Sequence, residues 1–307
     1  MIDIIMATYN GEKYIREQLD SIISQSYKKW KIIIHDDGSC DNTVDIIKDY
    51  AQKYPEKIKY IDDNVKTGGA KNNFAYLLNF VTSDYIMFSD QDDVWENNKV
   101  EKAIKTIKSM ERKYGDIPVL VHGDLMVVDS ELNLINSSMF KMQKLNKKKS
   151  SFRDLLVQNN ITGCTVIINK KLAEMGKNIP KEAIMHDWWL ALIAAAFGKI
   201  GFMDNAGILY RQHENNTEGA KNIGSLKYIT KKIANKTEIR NTLMLTYMQA
   251  EAFIERFGEK LELKNLGEAK AYISMKDADK IKKYSIILGY GFMKSGLIRK
   301  IGYLLYC

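Results

Sequence analysis

Short apolar runs alternate with segments of helical spacing along the first third of the chain. Four runs have the length and content of strands, namely Ile2–Thr8, Lys31–His35, Ile58–Ile61 and Tyr85–Phe88. Between them apolar residues recur every three or four positions, as in Ile15, Leu19 and Ile22, and the same spacing predicts a helix over 69–81. Strands that alternate with helices predict an α/β fold with a mostly parallel central sheet.

Polar residues follow each predicted strand. They are Thr8, Tyr9 and Asn10, then Asp36 and Asp37, then the loop to Lys71, and finally Asp90 to Asp93. In open parallel sheets, ligands bind outside the carboxyl ends of the strands. The four groups are therefore expected to meet at one edge of the sheet.

The acidic segment after the fourth strand is the most informative of these groups. In an extended chain Asp90 and Asp92 point the same way, so both carboxylates can bind one divalent cation and the phosphates that it carries. A lone Asp-x-Asp is more often a solvated turn. The polar groups after the other strands favour a metal site, with Mg²⁺ or Mn²⁺ as the expected ion.

The other strand ends suggest a nucleotide. Asp36 or Asp37 is suited to accept the ring N–H of a pyrimidine, Tyr9 to cover its face and Lys71 to reach the phosphates. Each residue has a structural alternative, since Tyr9 can be packing, either Asp a helix cap and Lys71 a surface lysine. The chain lacks a Gly-x-Gly-x-x-Gly after the first strand and a Gly-Lys-Ser/Thr loop, which argues against a dinucleotide enzyme and a P-loop ATPase.

Charge is distributed unevenly along the 307 residues. The net charge is +8, and residues 276–307 carry seven Lys or Arg against two Asp, which leaves five of those charges there. The segments 227–236 and 276–300 mix basic with apolar residues. This pattern fits helices on an anionic membrane surface, and it equally fits helices that pack on the rest of the protein with lysines in solvent. No nucleic-acid-binding module is recognised, so no nucleic acid partner is expected.

Cysteine usage and the start of the chain suggest a compartment. The cysteines are Cys40, Cys164 and Cys307, odd in number and widely spaced, and Met1 leads directly into the first strand without a basic and apolar leader. No window approaches the length of an apolar membrane span. We expect a cytoplasmic protein, peripheral at the inner face of the cell membrane.

Several motifs together resemble the inverting family 2 glycosyltransferases, which have a nucleotide-sugar-binding GT-A fold. The matching segments are 6–27, 32–43, the Asn72 and Asn73 loop, and 84–95. Segments 159–172, 185–200 and 209–220 look like the bacterial rhamnosyltransferases that extend rhamnose polysaccharides. Two positions depart from many relatives, which have Arg at Lys71 and Glu-Asp at His186 and Asp187.

The resemblance implies roles for particular residues. Asp187 would be the general base, in a single displacement that inverts the anomeric carbon. His213 would be a third metal ligand beside Asp90 and Asp92, and Arg211 a phosphate clamp. Gln91 would join the donor-binding residues. The acceptor side would be formed by Trp95, Thr162, Gly163, His186, Trp188 and Trp189.

These observations predict a metal-dependent glycosyltransferase that moves L-rhamnose from dTDP-L-rhamnose to a surface polysaccharide or lipid-linked glycan. A UDP-hexose or UDP-N-acetylhexosamine donor is the alternative within the class, and a non-catalytic nucleotide-sugar-binding scaffold the alternative outside it. The expected parts are a nucleotide-sugar-binding half at 1–97, an acceptor and catalytic-base half at 98–220 and a basic helical extension at 221–307.

Overall fold

A seven-stranded sheet forms the centre of the computed structural model, which describes residues 1–214 and 236–307. The strand order is β10-β6-β9-β4-β1-β2-β3, and β9 alone runs antiparallel to its neighbours in this sheet. The strands are β1 (Ile2–Thr8), β2 (Trp30–Asp36), β3 (Ile58–Ile61), β4 (Tyr85–Ser89), β6 (Val119–Gly123), β9 (Ile167–Asn169) and β10 (Lys199–Met203). The mostly parallel α/β sheet expected from the sequence is confirmed, and it continues across residue 97.

Helices cover both faces of this sheet. They are α1 (Ile15–Ile23), α2 (Thr43–Lys53), α3 (Ala70–Leu77), α4 (Lys99–Tyr114), α7 (Lys170–Gly176) and α8 (His186–Phe197). The central strands are buried on both sides, which explains why four of the seven residues of β1 are Ile or Met. Helix α3 ends at Leu77 rather than near 81, because the chain turns where the N–H groups of Thr82 and Ser83 donate to the Asp3 carboxylate.

A second, four-stranded sheet begins directly after the acidic segment. Its order is β5-β11-β7-β8, formed by β5 (Val94–Trp95), β11 (Ile208–Arg211), β7 (Met126–Val128) and β8 (Leu134–Asn136). Short helices α5 (Met139–Met142) and α6 (Phe152–Val157) follow β8 in the chain. Because β5 pairs with β11, residues 208–213 are held beside the acidic segment although more than a hundred residues separate them in sequence.

Four further helices complete the described chain. They are α9 (Lys236–Phe257), α10 (Leu263–Ser274), α11 (Lys280–Tyr290) and α12 (Leu297–Tyr306). Helix α9 packs on the domain through Phe253, whose ring centroid lies 5.3 Å from Phe152 and 5.4 Å from Trp189. The C-terminal helices therefore share a core with the α/β unit. The predicted basic segment 227–235 and the predicted boundary at 220 lie outside the described residues.

The helices can be compared with what a membrane span requires, which is about 20 consecutive apolar residues. Within residues 1–214 and 236–307, no helix is both long and apolar enough to cross a bilayer.

Candidate active site

A cavity of about 1010 Å³ opens where β1, β2 and β4 end. Thr8, Tyr9 and Asp37 line one end, and Asp90, Gln91, Asp92 and Asp187 line the middle. The far end is lined by residues 158–163 and by side chains of the C-terminal helices. The cavity thus joins most of the polar groups that the sequence analysis placed at strand ends, and its volume suits a nucleotide-sized ligand.

Tyr9 and Gln91 form one rim of this cavity. Gln91 Oε1 accepts the N–H of Tyr9 at 2.9 Å, and Gln91 Nε2 donates to the Tyr9 carbonyl at 2.9 Å. A Cβ at Gly11 would lie 2.3 Å from Gln91 Oε1, so a larger residue there would displace the Gln91 side chain. The phenol ring of Tyr9 is 57 % exposed, which leaves its face accessible to a flat ligand.

Asp37 fixes the loop that follows β3. Its carboxylate accepts the N–H groups of Thr67, Gly68 and Gly69. Partial burial raises the pKa of Asp37, but the hydrogen bonds from Gly69 and Thr67 outweigh it and hold that pKa below its usual value. Asp37 is thus an ionised group that lines the cavity and shapes its wall.

Asp36 and Asn10 lie behind this wall rather than in the cavity lining. Asp36 accepts hydrogen bonds from the N–H groups of Gly38 and Ser39 and from Thr8 Oγ1. Asn10 Oδ1 accepts the N–H of Cys40. Both residues hold the loops after β1 and β2 in place, and neither is among the lining residues.

Of the two lysines that follow β3, Lys66 lines the cavity and the predicted Lys71 does not. Lys71 Nζ donates to the carbonyls of Lys181 and Ala183 at 2.9 and 3.0 Å, which directs it to the loop before α8. Lys66 lines the cavity, and its side chain runs over Gly38, where a Cβ would lie 2.7 Å from Lys66 Cε. The sequence has two lysines between the end of β3 and the first turn of α3, Lys66 and Lys71, and only the packing distinguishes them.

Negative charge accumulates in the middle of the cavity. Removal from water, with the nearby charges of Asp92 and Asp187, raises the pKa of Asp90 to about 7. Asp93 lies behind the lining with its Oδ2 buried and unpaired, and burial raises its pKa well above the usual value. Lys99 is buried near these carboxylates. Burial lowers the pKa of Lys99 to about 7, although the charges of Cys164, Asp93 and Asp90 act to raise it. Crowded carboxylates of this kind fit a divalent cation, which would neutralise them.

The candidate metal ligands are only partly grouped as predicted. His213 Nε2 lies 2.8 Å from Asp92 Oδ2, and Asp90 and Asp92 both line the cavity. In the described parts of the chain, however, the group close enough to share an ion is Asp90, Asp93 and Cys164. Asp92 and His213, which pair with each other, are not in that group.

Asp187 faces the cavity from the first turn of α8. It is 7 % exposed, and its Oδ1 accepts the N–H of Trp188 at 2.6 Å and Nδ2 of Asn159 at 3.3 Å. Burial raises the pKa of Asp187 to about 7, although hydrogen bonds from Trp188, Gly163 and Asn159 oppose the rise. A carboxyl group with this pKa can take up and release a proton near neutral pH.

Gly163 and His186 shape the space around Asp187. A Cβ at Gly163 would lie 3.0 Å from His186 Nε2 and 3.5 Å from Asp187 Oδ2, so a larger residue would crowd His186 and make an ordinary contact with Asp187. The His186 ring lies 4.2 Å from that of Phe74 and 5.3 Å from that of Phe88. Burial lowers the pKa of His186 to about 3, so the ring is neutral. Thr162 lines the cavity beside Gly163.

The three predicted tryptophans are divided between the cavity and the core. Trp188 lines the cavity, with its Nε1 donating to the Leu155 carbonyl at 2.6 Å. Trp189 is fully buried against Phe253, because consecutive residues of a helix point about 100° apart. Trp95 is also buried, with Lys99 Nζ 3.8 Å from its ring centroid. Only Trp188 is therefore positioned to contact a ligand.

Arg211 lies beneath the cavity. It is 2 % exposed, its Nε donates to the Asp92 carbonyl at 2.9 Å, and its guanidinium also contacts Glu17 and the carbonyl of Ser130. It is not among the lining residues, so the structure does not place it as a phosphate clamp. It instead holds the backbone of Asp92.

Residues of the C-terminal helices form part of the cavity wall, which the sequence did not indicate. Thr242 and Thr246 of α9 line its far end, together with Lys294 and Arg299. These residues follow Asp187 by more than fifty positions and belong to no motif. Because only tertiary packing brings them to the cavity, no local pattern could have identified them.

Comparisons with known proteins agree with this geometry. A model of glycosyl transferase family 2 matches residues 3–176. The dTDP-rhamnosyl transferase RfbG of Shigella flexneri is 34% identical over 234 residues, which span 73% of this chain and 76% of that protein.

Two solved structures share the fold at low sequence identity. The first is S. aureus TarS in complex with UDP-GlcNAc, with a TM-score of 0.55, 18% identity and coverage of 92% of this chain and 83% of that one. The second is the mannosyltransferase PcManGT of Pyrobaculum calidifontis in complex with GDP-Man and Mn²⁺, with a TM-score of 0.53, 13% identity and coverage of 99% and 83%. They show that this α/β arrangement is the GT-A fold.

Proposed function

Because this chain belongs to glycosyl transferase family 2, we propose that it is a metal-dependent inverting enzyme that moves L-rhamnose from dTDP-L-rhamnose to a growing cell-surface polysaccharide or lipid-linked glycan. The observation that carries the enzymatic part is a buried Asp187 in one cavity with Asp90 and Asp92. A protein that only bound a nucleotide sugar would not need the third carboxylate. The choice of donor rests on the likeness to the rhamnosyl transferase of Shigella flexneri.

The donor would lie between Tyr9 and the acidic segment. Tyr9 offers an exposed ring for the base, and the loop held by Asp37 forms the opposite wall. Asp90 and Asp92, with His213 beside Asp92, would hold Mg²⁺ or Mn²⁺, which supplies positive charge for the leaving diphosphate. Arg211 supports the segment that carries these ligands.

Asp187 would act on the acceptor. Its carboxylate lines the cavity, and we assign proton uptake to it. The acceptor hydroxyl loses its proton to Asp187 as its oxygen attacks the anomeric carbon, and the bond to the diphosphate breaks. Trp188 and neutral His186 exclude water from this side. One base and one displacement imply inversion.

A donor screen tests this proposal. We expect the purified chain with Mg²⁺ or Mn²⁺ to release dTDP from dTDP-L-rhamnose faster than it releases nucleotide from UDP-glucose, UDP-GlcNAc or GDP-mannose. A preference for a UDP-sugar would overturn the donor and keep the enzyme class. Absence of both turnover and binding with every donor would overturn the enzyme class as well.

We also propose that the enzyme works in the cytoplasm at the inner face of the cell membrane, as a peripheral protein. A glycan attached to a lipid is presented at a membrane surface, and the excess of basic residues lies in the last 32 positions. Anionic lipids attract such basic segments.

Lys66 and Lys71 provide a paired prediction for donor binding. Lys66→Met removes a cation from the cavity wall, so the donor KM should rise about fivefold to tenfold. Lys71→Met removes two hydrogen bonds to carbonyls outside the lining, so KM should change less than about twofold while stability falls by about 1–2 kcal/mol. Steady-state kinetics and thermal melts of both variants separate these effects. The opposite pattern would restore Lys71 as the phosphate contact.

A further inference from the structure

Helices α11 and α12 each carry apolar side chains on two sides, one buried and one exposed. The inner side packs on the protein, with Ile287 and Tyr303 almost fully buried. The outer side is exposed, and Ile281, Leu288 and Leu297 are 83 %, 77 % and 71 % exposed. Packing within the described chain therefore accounts for only one of the two apolar sides.

The exposed residues form ordered stripes. They are Ile281, Tyr284 and Leu288 on α11, and Leu297, Ile301 and Leu305 on α12. Spacings of three or four residues place each set on one side of its helix. Tyr284 Oη donates to the carbonyl of Leu304 at 2.8 Å, which joins the first stripe to the neighbour of Leu305 in the second. The two stripes thus form one surface, here called the α11–α12 face.

The charged residues of these two helices and of the segment between them have one sign. Residues 280–307 contain six Lys or Arg and no Asp or Glu. Lys280, Lys282 and Lys283 lie on α11 beside its stripe, and Lys300 is exposed on α12. A second copy of the chain would bring these cations against one another, whereas an anionic bilayer offers both an apolar interior and negative headgroups.

We propose that the α11–α12 face docks on an anionic lipid bilayer, with its apolar stripes in the headgroup and acyl boundary and its lysines on lipid phosphates. The segment between the two helices and the first turn of α12 form part of the cavity wall. Lys294 and Arg299, on either side of the exposed Leu297, line the far end of the cavity. Docking therefore brings the acceptor end of the cavity to the membrane. This consequence rests on the proposed function, whereas the docking itself does not.

Three exposed residues in first helical turns allow a matched test. Ile281 and Leu297 lie in the first turns of the two docking helices, and Leu263, 87 % exposed, begins α10 outside the face. Glutamate is favourable in a first turn, so Ile281→Glu, Leu297→Glu and Leu263→Glu should all fold. Far-UV circular dichroism melts verify this.

Co-sedimentation of the full chain with vesicles measures docking. We expect binding to vesicles with about one quarter phosphatidylglycerol in phosphatidylcholine, weaker binding to phosphatidylcholine alone, and loss with rising salt. Combining Ile281→Glu with Leu297→Glu should lower partitioning about tenfold or more, and Leu263→Glu less than about twofold. Lys282→Gln with Lys283→Gln should lower it several-fold and flatten the salt dependence.

Two outcomes would overturn the proposal. One is equal partitioning of the wild type and the Ile281→Glu, Leu297→Glu variant. The other is a wild-type dimer that the same variant converts to monomer while vesicle binding is unchanged, which would assign the face to a second copy. Release of dTDP from dTDP-L-rhamnose, measured without vesicles, should be unchanged in this variant. Failure of docking is therefore distinguishable from failure of the proposed activity.

Discussion

Asp187→Asn is expected to lower turnover about 10²–10⁴-fold while donor affinity changes less than about twofold. Asparagine keeps the size of the side chain and can still accept the N–H of Trp188, but it cannot take a proton. The change thus removes the chemistry and leaves the cavity intact. Single-turnover kinetics with donor binding by calorimetry separate the two.

The pH profile gives this prediction a second readout. Burial raises the pKa of Asp187 to about 7, and a base must be ionised to act. At a saturating concentration of Mg²⁺ or Mn²⁺, which keeps Asp90 ionised, wild-type turnover should therefore fall as pH decreases through about 7, and this limb should be absent from the residual activity of Asp187→Asn. Neutral His186, with both ring nitrogens buried and its pKa lowered to about 3, offers no substitute base. Near-normal turnover in the variant would exclude Asp187 as the base.

Asp92→Asn is expected to reduce transfer by at least about 10²–10³-fold and, unlike Asp187→Asn, to weaken donor binding in the presence of Mg²⁺ or Mn²⁺. Asp92 lines the cavity, and His213 lies beside its carboxylate, so its charge is directed at the expected position of the diphosphate. Removing that charge should impair both the bound donor and the transition state.

Metal titration and chelation measure this effect. The variant should need more metal for half-maximal activity, and excess EDTA should abolish wild-type turnover. Full wild-type turnover in excess EDTA would contradict a metal-dependent mechanism.

The local pattern of apolar residues was sufficient to predict strands β1 to β4. The strand predicted over Ile58–Ile61 has those bounds, and Tyr85–Phe88 is extended by one residue. Polar residues after parallel strands are expected to meet at one edge of the sheet, and Tyr9, Asp37 and Asp90 do line one cavity there. These results follow because parallel strands end at the same edge of the sheet and because successive side chains of a strand point to opposite faces.

The sequence could not predict the direction in which individual side chains point. Lys71 belongs to the predicted loop, but the carbonyls before α8 bind it, and Lys66 lines the cavity instead. Trp188 and Trp189 are adjacent, and only Trp188 lines the cavity. Arg211 is buried under Asp92 because β11 pairs with β5. Each outcome depends on contacts between distant segments, which periodicity does not encode.

The anomeric configuration of the product is the most direct test of the central claim. The enzyme would be given dTDP-β-L-rhamnose and a synthetic lipid-linked saccharide, and the new linkage would be assigned by NMR. Direct displacement assisted by the single base Asp187 predicts an α-linked rhamnose. A β-linked product would mean retention at the anomeric carbon and would contradict both the mechanism and the role of Asp187.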